Sequence, residues 1–216
     1  MAATLAAPSH RPAPAHPATA RILQQARAQL FTHGYSAFTM ADLATELGMS
    51  KKTLYVHFAG KDEMLRAAIE QLAREIRADA DQLLRDRRLN FSGKLRGFAE
   101  GMVRRLAPLQ PRTVRDIQRF APELHLRVVE LRSRNIPYIF GRFLEEGQRA
   151  GMVRTDLDAA FAIEFFLQAL NGLLQFADLE RLHLAPRDIL PRALELFFGG
   201  LLTPAGRKEH EKSFAR

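Results

Sequence analysis

The chain has 216 residues, 47% of them hydrophobic and 26% charged, a balance that excludes an intrinsically disordered protein and leaves room for one large domain or two smaller ones. A formal net charge of +8 points toward polyanionic partners, and the absence of cysteine removes disulfides and thiolate chemistry. Glu164, Gln168, Asn171 and Gln175 interrupt the most apolar segment, so no membrane partner is expected and the expected location is the cytoplasm.

Residues 1–18 carry prolines at 8, 12, 14 and 17 and read as a flexible, extended Ala/Pro-rich arm without the unbroken apolar run of a signal peptide. Nearly every later segment repeats its apolar residues with helical period, and no alternating β-branched run asks to be a strand. Ile22, Leu23, Ala26 and Leu30 form the first stripe, stopped at Gly34. Thr39 and Asp42 have the spacing of a capping box for a short second helix, whose buried face is Leu43, Ala44 and Leu47 and whose end is Gly48. Ser50 caps a third helix, anchored by Leu54 and Phe58 four residues apart.

A longer amphipathic helix is expected from Lys61 to about Arg87, with Leu65, Ile69, Leu72, Ile76 and Leu83 on one side. Helices follow over about 93–108, from Pro111, and over about 122–150 with a kink at Pro137. One very apolar helix is expected over about 157–181, and a last one from near Asp188 to about Leu202, with Pro191 in its first turn. The remaining 204–216 read as a fraying tail. The prediction is an all-α chain of nine helices: a three-helix head over 19–60 and a helical body over 61–203.

Helix, glycine turn and short basic helix together make a helix-turn-helix pattern. With Leu54 and Phe58 turned inward, Lys51, Lys52, Thr53 and Tyr55 lie on the outer arc, where such a helix can enter a major groove about 12 Å wide. The lysines supply attraction to phosphates, the threonine a hydroxyl and a methyl, and Tyr55 and His57 hydrogen bonds to the backbone. Lys61, at the start of the fourth helix, is placed for another phosphate.

The run from Ile22 to Leu65 resembles the DNA-binding head of the TetR/AcrR family of bacterial transcription regulators. The resemblance is carried by Leu30, Phe31, Gly34, Tyr35, Phe38 and Thr39, by Ala-x-x-Leu-Gly-Met-Ser at 44–50, by Thr-Leu-Tyr-x-His-Phe at 53–58, and by Lys-Asp-Glu-x-Leu at 61–65. It implies a nine-helix subunit, a homodimer, and a body that binds a small-molecule effector and controls the head. It also implies that Thr39, Ser50, Lys51, Thr53, Tyr55, His57 and Lys61 meet double-stranded DNA. Lys52 stands where the family often has a small residue and Ala59 where it often has lysine, so a basic group has in effect moved onto the recognition helix.

In the body, RFAPEL, FLEEGQRAGMVRTDLD and FFGGLLTPAGR resemble segments of such regulators. Phe161, Phe165, Leu173, Leu194, Phe197 and Leu201 form more apolar surface than a monomer should leave wet, and the resemblance puts the dimer interface there. Candidate pocket residues are Phe98, Met102, Phe120, Phe140 and Phe166, with Gln168 and Asn171 as polar contacts, for a lipophilic effector. The function this supports is a ligand-responsive repressor released from a palindromic operator, nucleoid-associated when bound. The alternative is an activator or protein-recruiting co-regulator of the same fold. No nucleophile elbow, phosphate loop or metal-ligand spacing is present, so no enzyme, cofactor or metal is expected.

Overall fold

A computed structural model describes residues 17–214, which form eleven α-helices joined by short turns. The expected arm over 1–18 lies outside the described residues up to 16, and Pro17 and Ala18 already belong to α1 (Pro17–His33). The head continues with α2 (Met40–Leu47) and α3 (Lys51–His57). The body holds α4 (Lys61–Arg85), α5 (Phe91–Leu106), α6 (Pro111–Phe120), α7 (Pro122–Arg149), α8 (Ala159–Leu173), α9 (Phe176–Leu182), α10 (Pro186–Leu201) and α11 (Pro204–Phe214). Among the described residues the one β feature is an isolated antiparallel bridge between Val153 and Leu202.

The all-α expectation holds, with eleven helices in place of nine. The apolar run over 157–181 divides because Gln175 takes an extended conformation, φ −73° and ψ 141°. Its side-chain amide donates to Asn171 O at 3.0 Å, replacing the backbone bond that would have continued α8, while its own N–H turns back to Gly172 O. The last predicted helix starts at Pro186, so Pro191 lies beyond its first turn. Asp188 Oδ2 accepts the Ala185 N–H at 3.2 Å there.

The tail is a helix. Thr203 Oγ1 accepts the Gly206 N–H at 3.1 Å, and Pro204 opens α11 where no backbone donor is needed. Glu209 then accepts the Ser92 N–H at 3.2 Å, tying α11 to α5. At the start of α5, Asn90 Oδ1 accepts the Gly93 N–H at 2.9 Å, which moves that helix's start to Phe91 from the expected 93. Helix α7 runs unbroken through Pro137, whose side is exposed, so the missing backbone bond lies toward water.

Two apolar clusters organise the packing. The first joins α1–α3 to Met64, Leu65, Ala68, Ile69 and Leu72 of α4 and to Ile117, Ala121 and Leu124. The second fills the body around Phe98, Phe140, Phe143, Phe166, Phe197 and Phe198. Ile76 and Leu106 pack against both, so α4 and α5 carry continuous contact from head to body.

Candidate nucleic-acid interface and body cavity

The head is built from its turns outward. Gly48 adopts φ +64° and ψ 33°, the left-handed conformation that glycine takes without steric cost, and this closes α2. Arg21 Nη2 donates to Leu47 O at 3.2 Å, and Gln25 and Gln29 both reach the Glu46 carboxylate, fixing α2 against α1. Thr39 Oγ1 accepts the Asp42 N–H at 3.1 Å and donates to Asp42 Oδ2 at 2.6 Å. Ser50 Oγ accepts the Thr53 N–H at 3.1 Å and shares a hydrogen bond with the Thr53 hydroxyl at 2.9 Å. Each cap contributes about 1 kcal/mol.

Leu54 is fully buried and Phe58 nearly so, and that anchorage leaves Lys51, Lys52, Thr53, Tyr55 and Val56 exposed on α3. Thr39 and Ser50 are also exposed, beside their caps. Among the described residues neither lysine forms an ion pair. His57 is half-buried, with Nδ1 3.5 Å from Thr19 Oγ1. Lys61 is engaged within the head: its ammonium donates to Tyr35 O at 2.5 Å and lies 3.8 Å from the Tyr35 ring centre. Burial lowers its pKa against the opposing pull of Asp62 and Asp116. Tyr35 donates to Asp62 Oδ1 at 2.7 Å, and burial with that carboxylate pushes its phenol up to about 12. The arrangement presents two free cations, hydroxyls and one phenol on a helix short enough to lie in a groove.

Below the head is a cavity of about 210 Å³. Its walls come from α4 (Ile69, Leu72, Ile76), α5 (Phe98, Met102), α6 (Val114, Ile117), α7 (Ile136, Ile139, Phe140), α8 (Leu170) and α10 (Leu190), with Phe31 of the head also lining it. Of the expected pocket residues, Phe98, Met102 and Phe140 line this space. Phe166 is buried behind it, its ring 4.7 Å from that of Phe140. Asn171 stands behind the wall and accepts from Arg132 Nη1 at 3.2 Å.

Two expectations are corrected. Phe120, the last residue of α6, is 51% exposed and lies 5.1 Å from the Arg119 guanidinium, because the chain leaves the helix at Ala121. Gln168 shares the outward stripe of α8 with Phe161 and Phe165 and pairs with Glu164 at 2.6 Å, while Phe166, Leu167 and Leu170 face the core. His125, Arg132 and Asn135 line the cavity and were not expected. Their signal lay in the spacing: His125 is three residues from Val128, Arg132 four from Val128 and from Ile136, and Asn135 four from Ile139, on the otherwise apolar face of α7.

The six apolar residues expected at a dimer interface divide. Leu194, Phe197 and Leu201 are buried in the protomer's own core, and Leu173 is partly buried. Phe161 and Phe165 are 71% and 65% exposed, joined by Leu196 at 79% on the neighbouring α10. Among the described residues no helix is long and apolar enough to cross a membrane, and no three His, Asp or Glu side chains cluster as metal ligands.

Residues 22–68 match the model of the bacterial regulatory proteins of the tetR family. The uncharacterized HTH-type transcriptional regulator YvaF of Bacillus subtilis is 36% identical over 76 residues, which cover 35% of this chain and 40% of that protein. The chain therefore spans less than half of that relative's length. Among solved structures, the TetR family transcriptional regulator PfmR of Thermus thermophilus is 27% identical, with TM-score 0.52 over 82% of this chain and 97% of that one. The fatty acid degradation regulator FadR of Bacillus halodurans shares the fold at 17% identity and TM-score 0.62, covering 87% and 98%. The head over residues 22–68 therefore matches the tetR family of bacterial regulatory proteins, and the helical chain as a whole shares the fold of a solved TetR family regulator.

Proposed function

We propose that the chain is a homodimeric, DNA-binding transcriptional repressor released from a near-palindromic operator when a small lipophilic molecule fills the body cavity. The observation that carries the DNA-binding part is the exposed arc of Lys51, Lys52, Thr53 and Tyr55 on a helix held by fully buried Leu54. Thr39 and Ser50 contribute hydroxyls at the two helix starts, and His57 and Lys61 act at the rim, Lys61 through the donors that Tyr35 leaves free. The dimer forms through the outer faces of α8 and α10, centred on Phe161, Phe165 and Leu196. A two-fold dimer brings two recognition helices to half-sites about 34–36 Å apart or at a stretched spacing.

Control is a population shift. Helix α4 starts in the head at Lys61 and lines the cavity through Ile69, Leu72 and Ile76. Helix α6 lines the same cavity, and its buried Thr113 donates to Leu30 O at 3.3 Å and Phe31 O at 3.1 Å, at the end of α1. Arg112 donates to Thr32 O beside it. An effector that prefers one arrangement of α4 and α6 alters the spacing of the heads in proportion to that preference; equal affinity for both states shifts nothing.

The test is a mobility-shift titration on DNA upstream of the chain's own gene, with wild type and the Lys51→Ala/Lys52→Ala double variant, at several salt concentrations. Expected are weaker binding and, with both heads of the proposed dimer losing two lysines, a log–log salt slope shallower by up to about 4. Unchanged affinity and slope would move the function to the alternative reading, a co-regulator whose head is structural.

A further inference from the structure

Arg132 is the single charged residue in the cavity lining, and that lining includes no Asp or Glu. Among the described residues its guanidinium has a neutral partner alone, Asn171 Oδ1 at 3.2 Å. The other arginines of the central part of α7 are served differently. Arg127 is held by Glu70 and Glu130, Arg134 by Glu130, and Arg142 by Asp81. The other polar lining groups offer no negative charge. Asn135 gives its amide to Ala73 O at 2.7 Å, and His125 is held below its ordinary pKa by burial and by the positive charge of Arg132. Burial also pulls the Arg132 guanidinium down from 12.5 to about 10, which still leaves it cationic at neutral pH.

An enclosed cation with no counter-ion is costly, and its planar fork of donors fits a carboxylate in two parallel hydrogen bonds. The surrounding wall is aliphatic and aromatic. We propose that the cavity takes an amphiphilic monoanion, the carboxylate of an aliphatic chain, whose headgroup pairs with Arg132 while its hydrocarbon lies against Phe98, Met102, Ile136 and Phe140. This rests on the reading that the cavity is the effector site. A space of about 210 Å³ suits a short aliphatic chain, and an eight-carbon acid serves as the probe.

The experiment is calorimetric titration of the full-length protein with octanoate, 1-octanol and octyltrimethylammonium at pH 7. Octanoate is expected to bind at least about tenfold more tightly than octanol, and the ammonium not at all. Arg132→Gln is expected to erase the preference by lowering octanoate affinity about tenfold or more while octanol stays within about threefold. Arg132→Lys, which keeps the charge, retains a preference for octanoate, so the assignment stays testable if the glutamine variant fails to fold. Equal binding of octanoate and octanol by wild type, or an unchanged ratio in Arg132→Gln, overturns the anion assignment and leaves the cavity reading standing. Failure of both octanoate and octanol to bind, with operator binding intact, overturns the cavity reading and the anion assignment together.

Discussion

His125 sits in the cavity wall with its pKa below the ordinary 6.5, held down first by burial and then by Arg132. His210 is lowered too, by burial against the pull of Glu195 and Glu211. The sign follows from proton counting: below about 6.5 the unfolded chain binds protons that the folded chain refuses, so stability is lost as pH falls through that value. Urea midpoints measured at pH 7.5 and 5.5 should therefore drop on acidification, and His125→Gln should drop less than wild type. An identical drop in the two proteins would show that His125 is not the group refusing the proton. At this scale the head was the more legible part. Ser50, Leu54 and Phe58 declare their roles by spacing along one short helix. In the body the same logic found Phe98, Met102 and Phe140 but passed over Arg132 and His125, because polar residues on a helix are ordinarily taken for its wet side.

Among the elements, α11 departs furthest from expectation. Thr203 followed by Pro204 is a readable helix start, yet the charged residues after it suggested a frayed end. What holds the helix is tertiary and has no local signature: the Glu209 bond to Ser92, and the close approach of Gly206 to the Met152 backbone. A β-carbon at Gly206 would meet Met152 O at 2.2 Å, a backbone atom that cannot step aside. Gly206→Ala should therefore loosen α11 from α5 at a cost of about 1–3 kcal/mol. Hydrogen exchange over 204–214 checks this: wild-type protection in the variant would mean that the contact is not tight. The break at Gln175 escaped sequence reading for a similar reason. A glutamine side chain standing in for a backbone donor looks, in sequence, like any residue of a continuing helix.

For the whole molecule, the proposed assembly turns on the outer faces of α8 and α10. Phe161→Glu combined with Phe165→Glu puts two charges on a surface already exposed in the protomer, so the protomer's own fold should survive. The proposed dimer predicts that sedimentation velocity reports a monomer for the variant and a dimer for wild type, with operator affinity falling as the second head is lost. A double variant that still sediments as a dimer would place the interface elsewhere. The continuous length of α4 carries a further consequence for the molecule as a machine. Ile76, the α4 residue of the cavity wall furthest from the head, lies roughly 22 Å along the helix from Lys61, so pivoting this lever by about 5° at the cavity sweeps its head end through roughly 2 Å. Successive nucleotides along one strand rise by about 3.4 Å, so a rotation of that size moves the head by more than half a rung of the DNA ladder.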